Sequence, residues 1–203
     1  MYIPKFYKVT DFDEIKEFVQ KNSFGTIVTT KKSKPIATHL PLGLSEKDGD
    51  LYITGHMAYG NPQWRTFETS EDVLVMFQGP HAYISSSWYE HENVPTWNYQ
   101  AVHVYGTASI MNEEELKQEL SSMLLKYEQH RDNPVLWEKL SPQVIERELK
   151  GIVGFKIKIH EVQAAYKLSQ NRNEKDYLNI VNKLQEEEDI NSQQMAKVME
   201  KKE

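Results

Sequence analysis

A mainly β architecture with peripheral helices (α+β), folded as a small antiparallel barrel, is what this sequence predicts, on three observations. Six or more segments are β-branched or alternate apolar and polar residues at period two. Short polar turns join most of them, and few gaps could hold the crossover that a parallel pair needs. Helical periodicity is confined to the start of the chain, to stretches between strands and to the end.

The first helix is expected over Asp11 to Asn22. Asp11 and Glu14 are spaced as a capping box, and Ile15, Phe18 and Val19 form the apolar stripe. Phe24 to Thr30 and Pro35 to Leu44 read as a hairpin about Lys31-Lys32-Ser33-Lys34. After the turn Glu46 to Asp50, Leu51 to His56 is a strand. It sets Leu51, Ile53 and Gly55 against Tyr52, Thr54 and His56. Asn61-Pro62 opens a short helix through Phe67, because Asn caps well and Pro suits the first helical position.

Val73 to Gln78 and Ala82 to Ser85 are expected as two strands around a break at Gly79-Pro80, with a long alternating strand from Tyr99 to Met111. Asn112 caps a helix with Glu115 three residues on, and Leu116, Leu120, Met123, Leu124 and Tyr127 form its stripe. Further elements are a helix from Ser141-Pro142 to before Gly151, a strand from Ile152 to Val162, and a helix from Glu174 to Glu187. The chain then becomes polar and weakly periodic. The division read from this is a barrel domain over 1–172 and a helical tail over 173–203, packed on the barrel or extending from it.

The chain has 203 residues, no cysteine, 24 Lys+Arg and 30 Asp+Glu, a formal charge of −6. Lack of cysteine excludes disulfides, thiolate nucleophiles and cysteine-ligated metal centres. The acidic balance argues against bulk attraction to nucleic acid or anionic membrane, although Lys31, Lys32 and Lys34 crowd one turn. No signal-peptide pattern and no long apolar run is visible, so a cytoplasmic protein without membrane contact is expected.

Two regions could carry chemistry. Trp88 to Tyr99 packs four large aromatics among amides, which suits a planar heteroaromatic ligand or a subunit interface. Thr54 to Trp64 places His56 at a strand end ahead of a helix start, an arrangement offering donors to a phosphate. Metal-ligand spacings, a nucleophile elbow and the glycine-rich nucleotide loops are all absent from the sequence.

Several motifs together resemble a known family. They are Met1-Tyr2-Ile3-Pro4, Gly55-His56 through Asn61-Pro62-Gln63-Trp64, Ser87-Trp88-Tyr89, Val94 to Tyr99 with Val102 to Gly106, and Leu168 to Arg172. The chain is similar, from its first residue to about Leu184, to the PaiB-type FMN-binding negative transcriptional regulators. The resemblance implies a pyridoxamine-phosphate-oxidase-like split barrel, a homodimer with FMN at its interface, and repression of sporulation and protease synthesis genes. It places the FMN phosphate near His39, Thr54, His56 and Asn61, and the ring edge at Gln78 and the strand around Ile53. Trp97, Asn98 and Trp88 would come from the second subunit, with Lys167, Gln170 and Asn171 closing the site. No catalytic residue and no metal ligand is assigned.

The leading expectation is therefore a non-enzymatic, FMN-binding repressor that meets promoter DNA or a partner protein. Two alternatives stand beside it. One is a flavin-dependent oxidoreductase or haem-handling enzyme on the same barrel. The other is a dimeric interaction module without flavin.

Overall fold

The computed structural model describes residues 1–200. Its strands are β1 (Lys8–Val9), β2 (Phe24–Lys31), β3 (Lys34–Lys47), β4 (Asp50–Ala58), β5 (Val73–Ile84), β6 (Thr96–Ile110) and β7 (Ile152–Lys167). Its helices are α1 (Phe12–Lys21), α2 (Glu113–Glu128), α3 (Pro142–Leu149), α4 (Glu174–Glu186) and α5 (Ile190–Glu200), with short 3₁₀ turns between elements. The strands form one sheet in the order β1-β7-β4-β3-β2-β5-β6, and β7 also pairs with β6, so the sheet closes on itself. The pairings of β1 with β7, β2 with β3 and β5, and β4 with β3 and β7 are all antiparallel. The expected α+β, antiparallel fold is the one that forms.

Local chemistry explains the hairpins. Lys31 pairs with Lys34, and Lys32 and Ser33 between them both take positive φ. Lys47 pairs with Asp50 around Asp48 (φ 55°) and Gly49 (φ 81°). Two-residue loops of this kind match the strand twist, and Asp-Gly supplies the left-handed pair at least cost. Closure needs a glycine too. A Cβ on Gly106 of β6 would overlap the Lys158 carbonyl oxygen of β7 and lie 2.7 Å from Ile157 Cγ2.

The chain divides into two compact units. One comprises Met1–Phe18, Phe77–His103 and Gln163–Glu203, of which the described part ends at residue 200. The other comprises Val19–Met76 and Val104–Val162. The core of the second is built from Ile27, Ile53, Val75, Phe155 and Ile157, all without solvent access. Phe67 meets Phe155 there edge-on at 5.3 Å. In the first unit Phe77, Tyr166, Leu168, Ile180 and Leu184 are enclosed. Each such side chain contributes about 1.5–3 kcal/mol by leaving water.

One element differs from expectation. β5 runs unbroken through Gly79-Pro80. Its buried positions are 73, 75, 77 and 79, then 82 and 84, so the alternation slips by one residue at Pro80-His81. That slip is the mark of a bulge, which tolerates a proline without ending the strand. The weakly periodic end of the chain contains α5, whose Ser192, Met195, Ala196 and Met199 are buried at helical spacing.

α2 carries the expected capping box between Asn112 and Glu115. Of its stripe, however, only Leu116 is buried, and Tyr127 is exposed. Met123 and Tyr127 of that face border a cavity.

Candidate functional site

The expected site residues fall in both units. In the unit Val19–Met76 with Val104–Val162, β3 pairs with β4 so that Gly43 lies opposite Thr54 and Leu42 opposite Gly55. Alternation along β4 buries Ile53 in the core and turns Thr54 and His56 the other way. His39 is exposed on β3, opposite Thr26 of β2. His56 is half-buried, and burial lowers its pKa, so its imidazole is neutral at pH 7.

Asn61 is committed to structure. Its Oδ1 accepts the Gln63 backbone N–H at 3.0 Å, and its Nδ2 donates to Thr38 Oγ1 at 3.0 Å. The Thr38 hydroxyl donates to Gln63 Oε1 at 2.5 Å, and Gln63 Nε2 donates to the carbonyls of Ile27 and Ile36. The Asn-Pro-Gln segment is thus a clamp that fixes the loop onto β2 and β3. The helix it opens is a five-residue 3₁₀ turn, Pro62–Thr66. Pro62 has no N–H and the Gln63 N–H is capped, so this turn offers little to an anion. Arg65 on the same turn is a permanent cation that sequence reasoning passed over. Its guanidinium stacks 4.3 Å from the Trp64 ring centroid.

In the unit Met1–Phe18 with Phe77–His103 and Gln163–Glu203, β5 and β6 present an aromatic surface. Trp97 is 53% exposed and Tyr83 48%. They meet edge-on at 5.9 Å, His81 lies 6.2 Å from Trp97, and Gln78 Nε2 is 3.2 Å from His81 Nδ1. The bulge at Pro80-His81 sets His81 and Tyr83 two residues apart beside Trp97. The aromatic density in the sequence pointed to Trp97 but not to His81 or Tyr83.

The other residues of this group serve different ends. Asn98 is fully enclosed, donating to Ser169 Oγ at 2.9 Å and accepting from it at 3.1 Å. Gln170 accepts the Leu168 N–H and donates to the carbonyls of Phe6 and Tyr166, which makes it a turn brace. Trp88 is half-buried, and its carbonyl accepts Asn179 Nδ2 at 2.6 Å. Lys167 donates to Thr96 Oγ1, and burial, then Arg172, lowers its pKa. Asn171 is exposed. Among the described residues no cluster of His, Asp and Glu is arranged to hold a metal ion. Among them, too, no helix is long and apolar enough to cross a membrane.

An isoalloxazine fits the Trp97 surface, where a flat aromatic face and the edge donors of Gln78 and His81 are open. The phosphate is served less well, because no Lys or Arg stands among His39, Thr54, His56 and Asn61 to give charge-assisted hydrogen bonds.

Residues 1–161 match the family described as "Putative FMN-binding domain". The chain is 71% identical over 202 residues to "Protease synthase and sporulation protein PAI 2" of Bacillus subtilis (strain 168), covering 100% of this chain and 98% of that one. Among solved structures, the flavocytochrome Anf3 of Azotobacter vinelandii superposes with a TM-score of 0.62 at 16% identity, covering 87% of this chain and 78% of that one. The FAD and heme binding protein of Mycobacterium smegmatis does so with a TM-score of 0.60 at 13% identity, covering 79% and 73%. These structures share the fold.

Proposed function

The chain belongs to this FMN-binding family, and from that premise we propose that it is an FMN-binding negative regulator of sporulation and protease synthesis genes, acting as a cytoplasmic homodimer. The near-full-length likeness to a protein named for protease synthesis and sporulation supports the regulatory part. The observation that carries the cofactor is the open aromatic surface of Trp97, Tyr83 and His81 with the Gln78 amide beside it. Large aromatics left half in water are costly unless something covers them, and a flavin ring together with a second subunit would do so.

In this reading Trp97 and Gln78 receive the ring, with Trp88, Lys167 and Asn171 at its border. His39 and His56 face the phosphate of the flavin bound with the other copy, aided by the Arg65 charge. Ile53, Asn61, Asn98 and Gln170 position the strands and loops that carry these groups. Bound FMN would supply reversible one- and two-electron chemistry. The acidic chain reaches its genes through promoter DNA, met by the Lys31, Lys32 and Lys34 turn, or through a partner protein.

Purified protein titrated with FMN should quench flavin fluorescence at one FMN per protomer and sediment as a dimer. A colourless preparation that takes up no added FMN overturns the cofactor assignment. A gel shift with a protease-gene promoter separates direct from indirect repression. No preference over random DNA would leave only the partner-protein route.

A further inference from the structure

A cavity of about 380 Å³ lies between α2 and the β3–β4 hairpin, wholly within one unit. One carboxyl reaches into it, that of the half-buried Glu119, whose hydrogen-bonding neighbour is the Thr54 hydroxyl. Gly43 leaves the space open. A Cβ there would stand 2.5 Å from Thr54 Oγ1 and 3.4 Å from Glu119 Oε1. Leu42, Met123 and Tyr127 supply apolar wall, which is why Met123 and Tyr127 of the α2 stripe are not buried.

Glu119 has no cation within ion-pair distance among the described residues. Lys126 lines the same cavity, but its ammonium donates to the Gln20 carbonyl at 3.0 Å. A carboxyl partly withdrawn from water, with one hydroxyl as hydrogen-bonding partner and no ion-pair partner, is costly when ionised, and a cation delivered to it recovers that cost. The walls set the rest of the ligand, since they match a short hydrocarbon body and the volume exceeds that of a water or a bare ion.

We propose that this cavity is a binding site for a small organic cation, an alkylammonium whose charged head pairs with Glu119 and Thr54 while its apolar body lies against Leu42, Met123 and Tyr127. The site is separate from the flavin surface and does not rest on the flavin reading. Thr54, the one residue it shares with the cofactor set expected from sequence, belongs to it. Burial raises the pKa of Glu119, outweighing the Thr54 hydrogen bond and the Lys126 charge that oppose it. Pairing with an ammonium opposes that shift, so uptake of the cation releases a proton at any pH where the empty site still holds part of one.

The test is calorimetric titration of the full-length protein with n-butylammonium, n-butanol and butyrate, in buffers of different ionisation enthalpy. The expected result is saturable one-to-one binding of n-butylammonium with proton release, and binding of the alcohol and the acid at least about tenfold weaker. Glu119→Gln keeps the shape and should lose about tenfold or more in affinity for the amine. Met123→Trp should fill the cavity and abolish binding. A single cooperative thermal transition and a far-UV circular dichroism spectrum like the parent's certify that both variants are folded. The proposal is overturned by no saturable uptake of n-butylammonium, by equal uptake of n-butanol, or by a folded Glu119→Gln that binds as the parent does. Mutual exclusion with FMN would put the flavin in this cavity and overturn it too.

Discussion

The Asp176 carboxylate, without solvent access, accepts the backbone N–H of Glu90 at 3.0 Å. It also accepts Asn173 Nδ2 at 2.8 Å and lies 3.5 Å from His91 Nδ1. One residue in the first turn of α4 thereby anchors the segment that follows Trp88, and Asn179 on the next turn holds the Trp88 carbonyl. Asp176→Ala should cost about 2–4 kcal/mol, because the Glu90 N–H and Asn173 amide lose a charged partner in a dry site. Asp176→Asn, which can still accept from Glu90, should cost less. Urea unfolding of the two variants measures both, and equal losses would contradict the role given to the Glu90 bond.

Gln63 is 2% exposed and is the hub of the loop clamp. Gln63→Leu strips the Ile27 and Ile36 carbonyls and the Thr38 hydroxyl of their partner and should cost about 2–3 kcal/mol. The effect is on stability. Flavin affinity, corrected for the unfolded fraction, should stay within about twofold, a margin well under 1 kcal/mol.

Met199 of α5 is fully buried, and its carbonyl accepts the Tyr177 hydroxyl at 2.8 Å. Met199→Ala should destabilise by about 2–4 kcal/mol through the cavity it leaves. A merely decorative tail would show no change in the unfolding midpoint.

Glu119 sets a pH dependence of definite sign. Its folded pKa is raised above the ordinary 4.5, chiefly by burial. Its contribution to stability is therefore fully present below pH 4.5 and is lost as pH rises through the folded value. Glu119→Gln carries no such loss. Unfolding free energies without amine should show the variant gaining on the parent as pH rises from about 4 to 8. A gap that narrows with pH would mean the carboxylate is stabilised where it sits.

Trp97→Ala removes the most exposed face of the proposed flavin surface. Its cost to protomer stability should be small, because half the ring is already in water. FMN affinity should fall roughly two- to tenfold, the scale of one aromatic contact. Fluorescence titration at a fixed dimer fraction separates this from simple dissociation.

Much of the fold could be read from local patterns. Period-two alternation located the strands, the Asn112–Glu115 box opened α2 at its observed residue, and Asp48-Gly49 marked its hairpin. The reading failed where local signals conflict with a non-local one. Gly79-Pro80 looks like a break, and only the continuous strand β5, whose alternation slips by one residue there, shows that it is not. The periodicity of α5 is weak because its buried set, Ser192, Met195, Ala196 and Met199, is small and mixed.

The candidate site was less legible for the same reason. The family resemblance places Asn61, Asn98 and Gln170 at the ligand, yet each spends its amide on a partner far from it in the chain. His81, Tyr83 and Glu119 are ordinary in sequence and acquire meaning from what the sheet sets beside them.

By itself, the sequence determined the antiparallel α+β class, most element boundaries, the family and the absence of thiol chemistry. The family rests on the motif resemblance, and the others on short-range periodicity, turn residues and composition. Tertiary structure alone decided which amides are clamps, which aromatics stay open, and that Glu119 stands in a cavity. Those are facts about neighbours brought together by strand register and helix packing, and burial and hydrogen bonding are properties of such neighbours.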